Sequence, residues 1–151
     1  MKKSNISLFA LAGMLLAACS SPTVPIPSPT TATNAASAAD SFTQTNAEAL
    51  VTVAVTPLNL NDQSATTLDF DIALNTHSVD LGYDLTQIAT LSNDAGEQVQ
   101  PANWNGPTGS GHHREGTLSF PQLKQRGQTL TLTLRGIADV PERIFTWKVN
   151  E

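Results

Sequence analysis

The feature that most constrains the fold is an alternation of apolar and polar residues that recurs from about residue 50 to the C-terminus. In the run 130–134, for example, three leucines alternate with two threonines. Because successive side chains of a β-strand point to opposite faces, this pattern predicts strands with one buried and one solvated face. We predict seven strands, near residues 50–56, 67–75, 88–92, 98–104, 116–121, 129–135 and 143–149.

Residues that favour tight turns separate these segments, as at 93–96, 126–127 and 136–141. Seven short strands at this spacing predict an all-β fold, a single antiparallel β-sandwich of immunoglobulin-like size. The domain holds no cysteine pair, which argues against an antibody-type domain. Trp147 continues the alternation of the last segment and is expected in the core. Trp104 is expected either to cap the core or to form a ligand platform.

One stretch, residues 79–88, allows two interpretations. Asp84 with Gln87 resembles a capping box and predicts a short helical turn at 84–87. The alternation of Val79, Leu81 and Tyr83 equally allows an extra strand at 79–83. The choice matters because an added strand would reverse the direction of every strand after it.

The N-terminus has the layout of an export signal. Two lysines precede an apolar run over residues 6–18. At about 13 residues this run is shorter than the roughly 20 that span a bilayer, and it has the size of a signal-peptide core. The next residues, Leu16-Ala17-Ala18-Cys19, resemble the lipobox of bacterial lipoproteins.

The lipobox resemblance implies that residues 1–18 are a lipoprotein signal peptide and that Cys19 is lipidated. It further implies a protein of the cell envelope that is anchored to a membrane through Cys19 and faces away from the cytoplasm. Ser20 is similar to the outer-membrane sorting pattern, for a cell that has an outer membrane. Cys19 is the only cysteine, so the chain has neither an internal disulfide nor a cysteine metal cluster.

Residues 19–47 differ in composition from the rest of the chain. Ser, Thr, Pro and Ala dominate, and Asp40 is the only charged residue. Such a segment buries too little apolar surface to offset the entropy lost on ordering it. We expect a disordered tether over 19–47 and the β-sandwich domain over 48–151. The domain carries 12 acidic and 6 basic residues, which argues against nucleic acid and anionic lipid as partners.

All three histidines fall in predicted loops. His77 follows the second predicted strand, and His112 and His113 lie in a glycine-rich loop before the fifth. Alternate loops of an antiparallel fold lie at the same end. The loops at 76–84, 105–116 and 136–142 are therefore expected to share one end, which brings Asp80, Asp139 and Glu142 close to the histidines.

Imidazole and carboxylate groups together bind transition metals. The predicted site comprises His77, His112 and His113 with Asp80. Zn(II), Cu(II) or Ni(II) would suit it better than Cu(I), since the domain lacks methionine and cysteine. In the alternative interpretation these histidines only bond turn backbone or belong to a mobile loop. A role as general base lacks an accompanying nucleophile motif.

The sequence favours a membrane-anchored binding or assembly module of the cell envelope, without enzymatic activity, whose loop end contacts an unknown envelope protein. The alternative is an extracytoplasmic protein that binds a transition metal through the histidine cluster.

Overall fold

Two antiparallel sheets face each other in the computed structural model, which describes residues 42–149. Sheet A has the strand order β1-β2-β3-β7-β6, and sheet B the order β5-β4-β8-β9. The predicted all-β sandwich is confirmed. The elements are β1 Gln44–Glu48, β2 Val51–Pro57, β3 Thr67–Thr76, α1 Leu85–Ile88, β4 Ala89–Asn93, β5 Gln98–Val99, β6 Asn103–Asn105, β7 His113–Pro121, β8 Thr129–Ile137 and β9 Val140–Lys148.

The core lies between the sheets and follows the alternation in the sequence. Along β2 and β3 every second side chain is buried. Phe70 stands edge-on to Phe120, with ring centroids 5.7 Å apart, and Trp147 lies 5.4 Å from Phe70. Trp147 is 4% exposed, and its indole N–H donates to the backbone oxygen of Phe42 at 2.6 Å. The expected core position of Trp147 is confirmed.

The ambiguous stretch forms a helical turn and no strand. Asp84 is the N-cap of α1, and its Oδ1 accepts from the backbone N–H of Thr86 at 3.0 Å. Leu81 and Leu85 are fully buried on either side of the cap. Because no strand forms at 79–83, the loops at 76–84, 105–116 and 136–142 share one end, as expected.

Two strand predictions need correction. The strand expected at 98–104 is divided into β5, which pairs with β4 in sheet B, and β6, which pairs with β7 in sheet A. Pro101 lies at the crossing, where a residue without a backbone N–H costs no ladder hydrogen bond. Strand β7 begins at His113, three residues earlier than expected, because His113 still pairs with Asn75 of β3.

The expected boundary between tether and domain at residues 47 and 48 is also wrong, because β1 belongs to sheet A. This strand is polar and largely exposed, and its pairing with β2 holds it in place. Hydrophobic alternation does not reveal an edge strand of this kind. The signal peptide expected at 1–18, Cys19, Ser20 and the tether up to residue 41 lie outside the described residues.

The sandwich has two different ends. Strand β1 begins close to Phe42 at one end, and β9 ends at Lys148 at the same end, which we call the domain base. The opposite end, the loop end, carries the β1–β2 turn, residues 77–84, residues 106–112 and the β8–β9 turn. The chain therefore enters and leaves the described domain at its base.

Among residues 42–149, α1 is the single helix, and its four residues are far too few to cross a membrane.

Candidate functional site

Hydrogen bonds join the connections at the loop end. The backbone N–H of Thr76 donates to His112 O at 2.9 Å, and its hydroxyl donates to Leu50 O at 2.8 Å. The Tyr83 hydroxyl accepts from the backbone N–H of Ala138 at 2.8 Å. These bonds tie all four connections into one surface.

Arg143, at the start of β9, organises the β1–β2 turn from below. Its side chain is fully buried, and its guanidinium donates to Glu48 O at 2.7 Å, to Val51 O at 3.1 Å and to the side-chain oxygen of Asn46. Burial lowers the pKa of the Arg143 guanidinium below its ordinary value, and the Glu48 charge opposes that shift. The guanidinium group is therefore hydrogen-bonded to oxygens of the turn and does not reach the surface.

Arg114, near the start of β7, does the same for the other side of the loop end. It is 5% exposed and donates to Tyr83 O at 2.7 Å, to Pro107 O at 3.2 Å and to Leu81 O. Its guanidinium carbon lies 5.6 Å from the centre of the Trp104 ring, within range of a cation–π contact.

Trp104 anchors the loop at 106–112. Its indole N–H donates to Pro107 O at 3.2 Å. A Cβ on Gly106 would lie 2.4 Å from the indole, and one on Gly116 would lie 2.6 Å from Asn105 O, so only glycine allows this approach. Trp104 is half-buried against the core and also lines a second surface depression of about 440 Å³, so both expected roles stay open.

The structure brings the three histidines to one surface depression. His77, His112 and His113 line it together with Leu50 and the outward side chains of the neighbouring strands, and its volume is about 450 Å³. Asp80 does not line this depression and lies beside Gly82 instead.

His113 already has partners for both ring nitrogens. Its Nδ1 is hydrogen-bonded to Asn75 Oδ1, and its Nε2 lies 3.5 Å from Glu115 Oε2. Within residues 42–149 no group of three or more His, Cys, Asp or Glu side chains is placed to hold a metal ion. The metal site stays a prediction, and in this arrangement it would rest on His77 and His112.

Leu50 is a feature of this surface that the sequence analysis missed. It lies in the β1–β2 turn with φ +68° and is 76% exposed. Its neighbour Ala49 also has a positive φ, +45°. A signal was present in the sequence, because Leu50 and Val51 are adjacent apolar residues and break the alternation at the start of the predicted strand.

The exposed charges at the loop end are acidic. Glu48, Asp80 and Asp139 are exposed. Arg114 and Arg143, which reach this end, are buried, and the charge of the exposed Arg135 is balanced by Glu142, 3.1 Å away. The surface around the histidine depression therefore presents negative charge.

Comparison with known proteins identifies no family for this chain. No family model matches the chain, and no curated protein matches its sequence. Among solved structures it is similar to a DUF4426 family protein from Pseudomonas aeruginosa PAO1, with 12% identity and a TM-score of 0.42. The match covers 72% of this chain and 99% of the other.

Proposed function

We propose that this protein is a lipid-anchored binding module of the cell envelope, without enzymatic activity. Cys19 holds it at a membrane, and the loop end of the sandwich contacts an envelope protein. The observation that carries the proposal is the position of Phe42, which lies at the domain base, opposite the loop end. A tether joined there leaves the loop end free to face away from the anchor.

The construction of the loop end supports this role. Arg143 and Arg114 fix its connections from inside through seven different backbone oxygens. A surface that is already ordered loses less conformational entropy when a partner binds than a mobile loop does. Binding loops carried by a rigid scaffold are a common arrangement in β-sandwich domains.

The anchoring is tested by Cys19→Ser. We expect the unmodified chain to fractionate with membranes and to incorporate labelled fatty acid, and the variant to do neither. Several acyl chains on Cys19 would anchor the chain stably, whereas the variant has no cysteine to acylate. Release of the variant from the membrane fraction should therefore be nearly complete. A variant that stays in the membrane fraction would show that something other than Cys19 holds the chain there.

The binding role is tested by site-specific photocross-linking of the full chain in cells. Photoreactive residues replace Asp80 or Asp139 at the loop end, and Gln63 or Lys124 at the base, all of which are exposed. We expect discrete protein adducts from the loop-end positions only. Adducts from the base alone, or none at the loop end, would contradict the proposal.

A second candidate, a transition-metal site, is favoured by the shared depression of His77 and His112. It predicts a rise in the unfolding midpoint with Zn(II), Cu(II) or Ni(II) that is lost in His77→Ala, since a ligand that binds only the folded state stabilises it. The binding-module proposal predicts no metal-specific rise. The measurement separates the two.

A further inference from the structure

The conformation and the exposure of Leu50 are both unfavourable for folding, for two independent reasons. Its φ of +68° lies in the left-handed region. Glycine, asparagine and aspartate adopt this region readily, whereas a bulky branched residue there is strained. Its side chain is also 76% exposed, so burial contributes little in return. Strained residues that structure alone does not explain are concentrated at functional surfaces.

The other hairpin at this end provides an internal comparison. The β8–β9 turn also has two residues with positive φ, Ala138 at +51° and Asp139 at +61°. There the exposed position holds aspartate, which tolerates this conformation. The two turns thus have similar pairs of positive φ angles, but one has aspartate at its second position and the other has an exposed leucine.

We propose that Leu50 is the anchor residue through which the loop end docks a protein that has a basic surface with an apolar socket. This inference rests on the proposed function and names the chemistry of its partner. Leu50 lines the histidine depression together with the uncharged side chains of Thr52 and Asn75. The partner's apolar socket receives the leucine, and its flanking surface covers these uncharged side chains.

The charge distribution selects a basic partner. Strands β1, β2, β3, β6 and β7 together contain one basic residue, Arg114, and it is buried. Exposed carboxylates flank Leu50 and the histidine depression: Glu48 lies two residues before Leu50 and lines a surface with it, and Glu115 lies 3.5 Å from His113. Exposed charges of one sign steer a partner of the opposite sign and disfavour like-charged ones. An acidic protein or an anionic lipid surface would be repelled from this face.

The experiment places a photoreactive residue at position 50 of the full chain, in cells. The control is position 144, because Ile144 is also an exposed apolar residue, 57% exposed, but lies on the outer face of sheet B. We expect a discrete protein adduct from position 50 at no less than about ten times the yield from position 144. Mass spectrometry of the adduct should show that the partner's cross-linked peptide is net positive.

A second variant guards against an effect of the photoreactive group on folding. With the photoreactive residue at position 80, Leu50→Asn should reduce the adduct yield at least tenfold, since asparagine suits the left-handed turn but removes the apolar side chain. An unchanged yield, equal yields from positions 50 and 144, an acidic partner peptide, or an adduct with lipid alone would each overturn the inference.

The two proposals fail in different ways. If positions 80 and 139 give protein adducts but position 50 gives none, the loop end binds a partner without Leu50, and only this inference is wrong. If positions 50, 80 and 139 all give none, the proposed function is wrong as well.

Discussion

The side-chain amide of Gln44 pairs with both backbone groups of Thr146. Its Nε2 donates to Thr146 O, and its Oε1 accepts from Thr146 N at 3.1 Å. The two residues lie in β1 and β9, which are the edge strands of sheets A and B. An edge strand exposes unpaired backbone groups that invite association with another chain. Here the Gln44 side chain provides hydrogen-bond partners for the backbone N–H and C=O of Thr146. It thereby links the edge strands of the two sheets.

Gln44→Ala should therefore destabilise the domain modestly. The variant loses two hydrogen bonds at an exposed site, and we expect the free energy of unfolding to fall by about 1 kcal/mol. Chemical denaturation monitored by tryptophan fluorescence would measure the loss. Thr45→Ala, in the same strand but on its outward face, is the control and should have less effect. Equal losses would show that the amide pairing contributes nothing.

Arg143→Met should be among the most damaging substitutions at the loop end. It keeps the buried chain length but leaves the oxygens of Glu48 and Val51 without their donor. We expect a loss of about 2–4 kcal/mol, because buried polar groups without partners are costly. Arg135→Met is the control, since Arg135 forms an exposed ion pair of little value. A denaturation midpoint that moves equally in both variants would refute the role of Arg143.

Leu50→Gly should stabilise the domain while it impairs partner binding. Glycine adopts a positive φ without strain, and we expect a gain of about 1 kcal/mol in the free energy of unfolding. Leu58 is also exposed, at 48%, but it is not among the residues with positive φ, so Leu58→Gly should bring no gain. A loss of stability in Leu50→Gly would mean that the leucine supports the fold, which would remove the argument for its role in docking.

Acid should weaken the start of α1 through Asp84. Hydrogen bonds from the side chain and backbone of Thr86 lower the pKa of the Asp84 carboxyl below its ordinary value of 3.8. A carboxyl with a lowered pKa in the folded state contributes stability above its unfolded pKa and loses it as the pH falls through the folded one. NMR titration of the Asp84 side chain would give the folded value directly. A midpoint at or above 3.8 would contradict this account, and Thr86→Val should raise it.

The alternation of apolar and polar residues predicted most of the strands. The strands that it did not predict were missed for physical reasons. The phase of the pattern places Arg143 on the same face as Phe145 and Trp147, so the buried arginine was visible in the sequence. Strand β1 was not, because a polar edge strand depends on backbone pairing that no local pattern encodes.

The candidate site was only partly accessible from the sequence. Strand direction indicated that His77 and His112 would share one end, and both line one depression. The partners of His113 and the position of Asp80 depend on side-chain geometry within loops. The strain at Leu50 depends on a backbone turn whose sequence lacks the usual Asn-Gly signal.

The proposed anchoring through Cys19, with the loop end facing away, is tested most directly by the orientation of the domain relative to a membrane. In vesicles that carry the lipidated full chain, a donor fluorophore on Gln63→Cys at the base is compared with one on Asp139→Cys at the loop end, with an acceptor at the lipid surface. The nine residues of β8 separate the two ends by roughly 30 Å. We predict clearly higher energy transfer from position 63 than from position 139. Equal transfer, or higher transfer from position 139, would contradict the claim that the loop end faces away from the anchor.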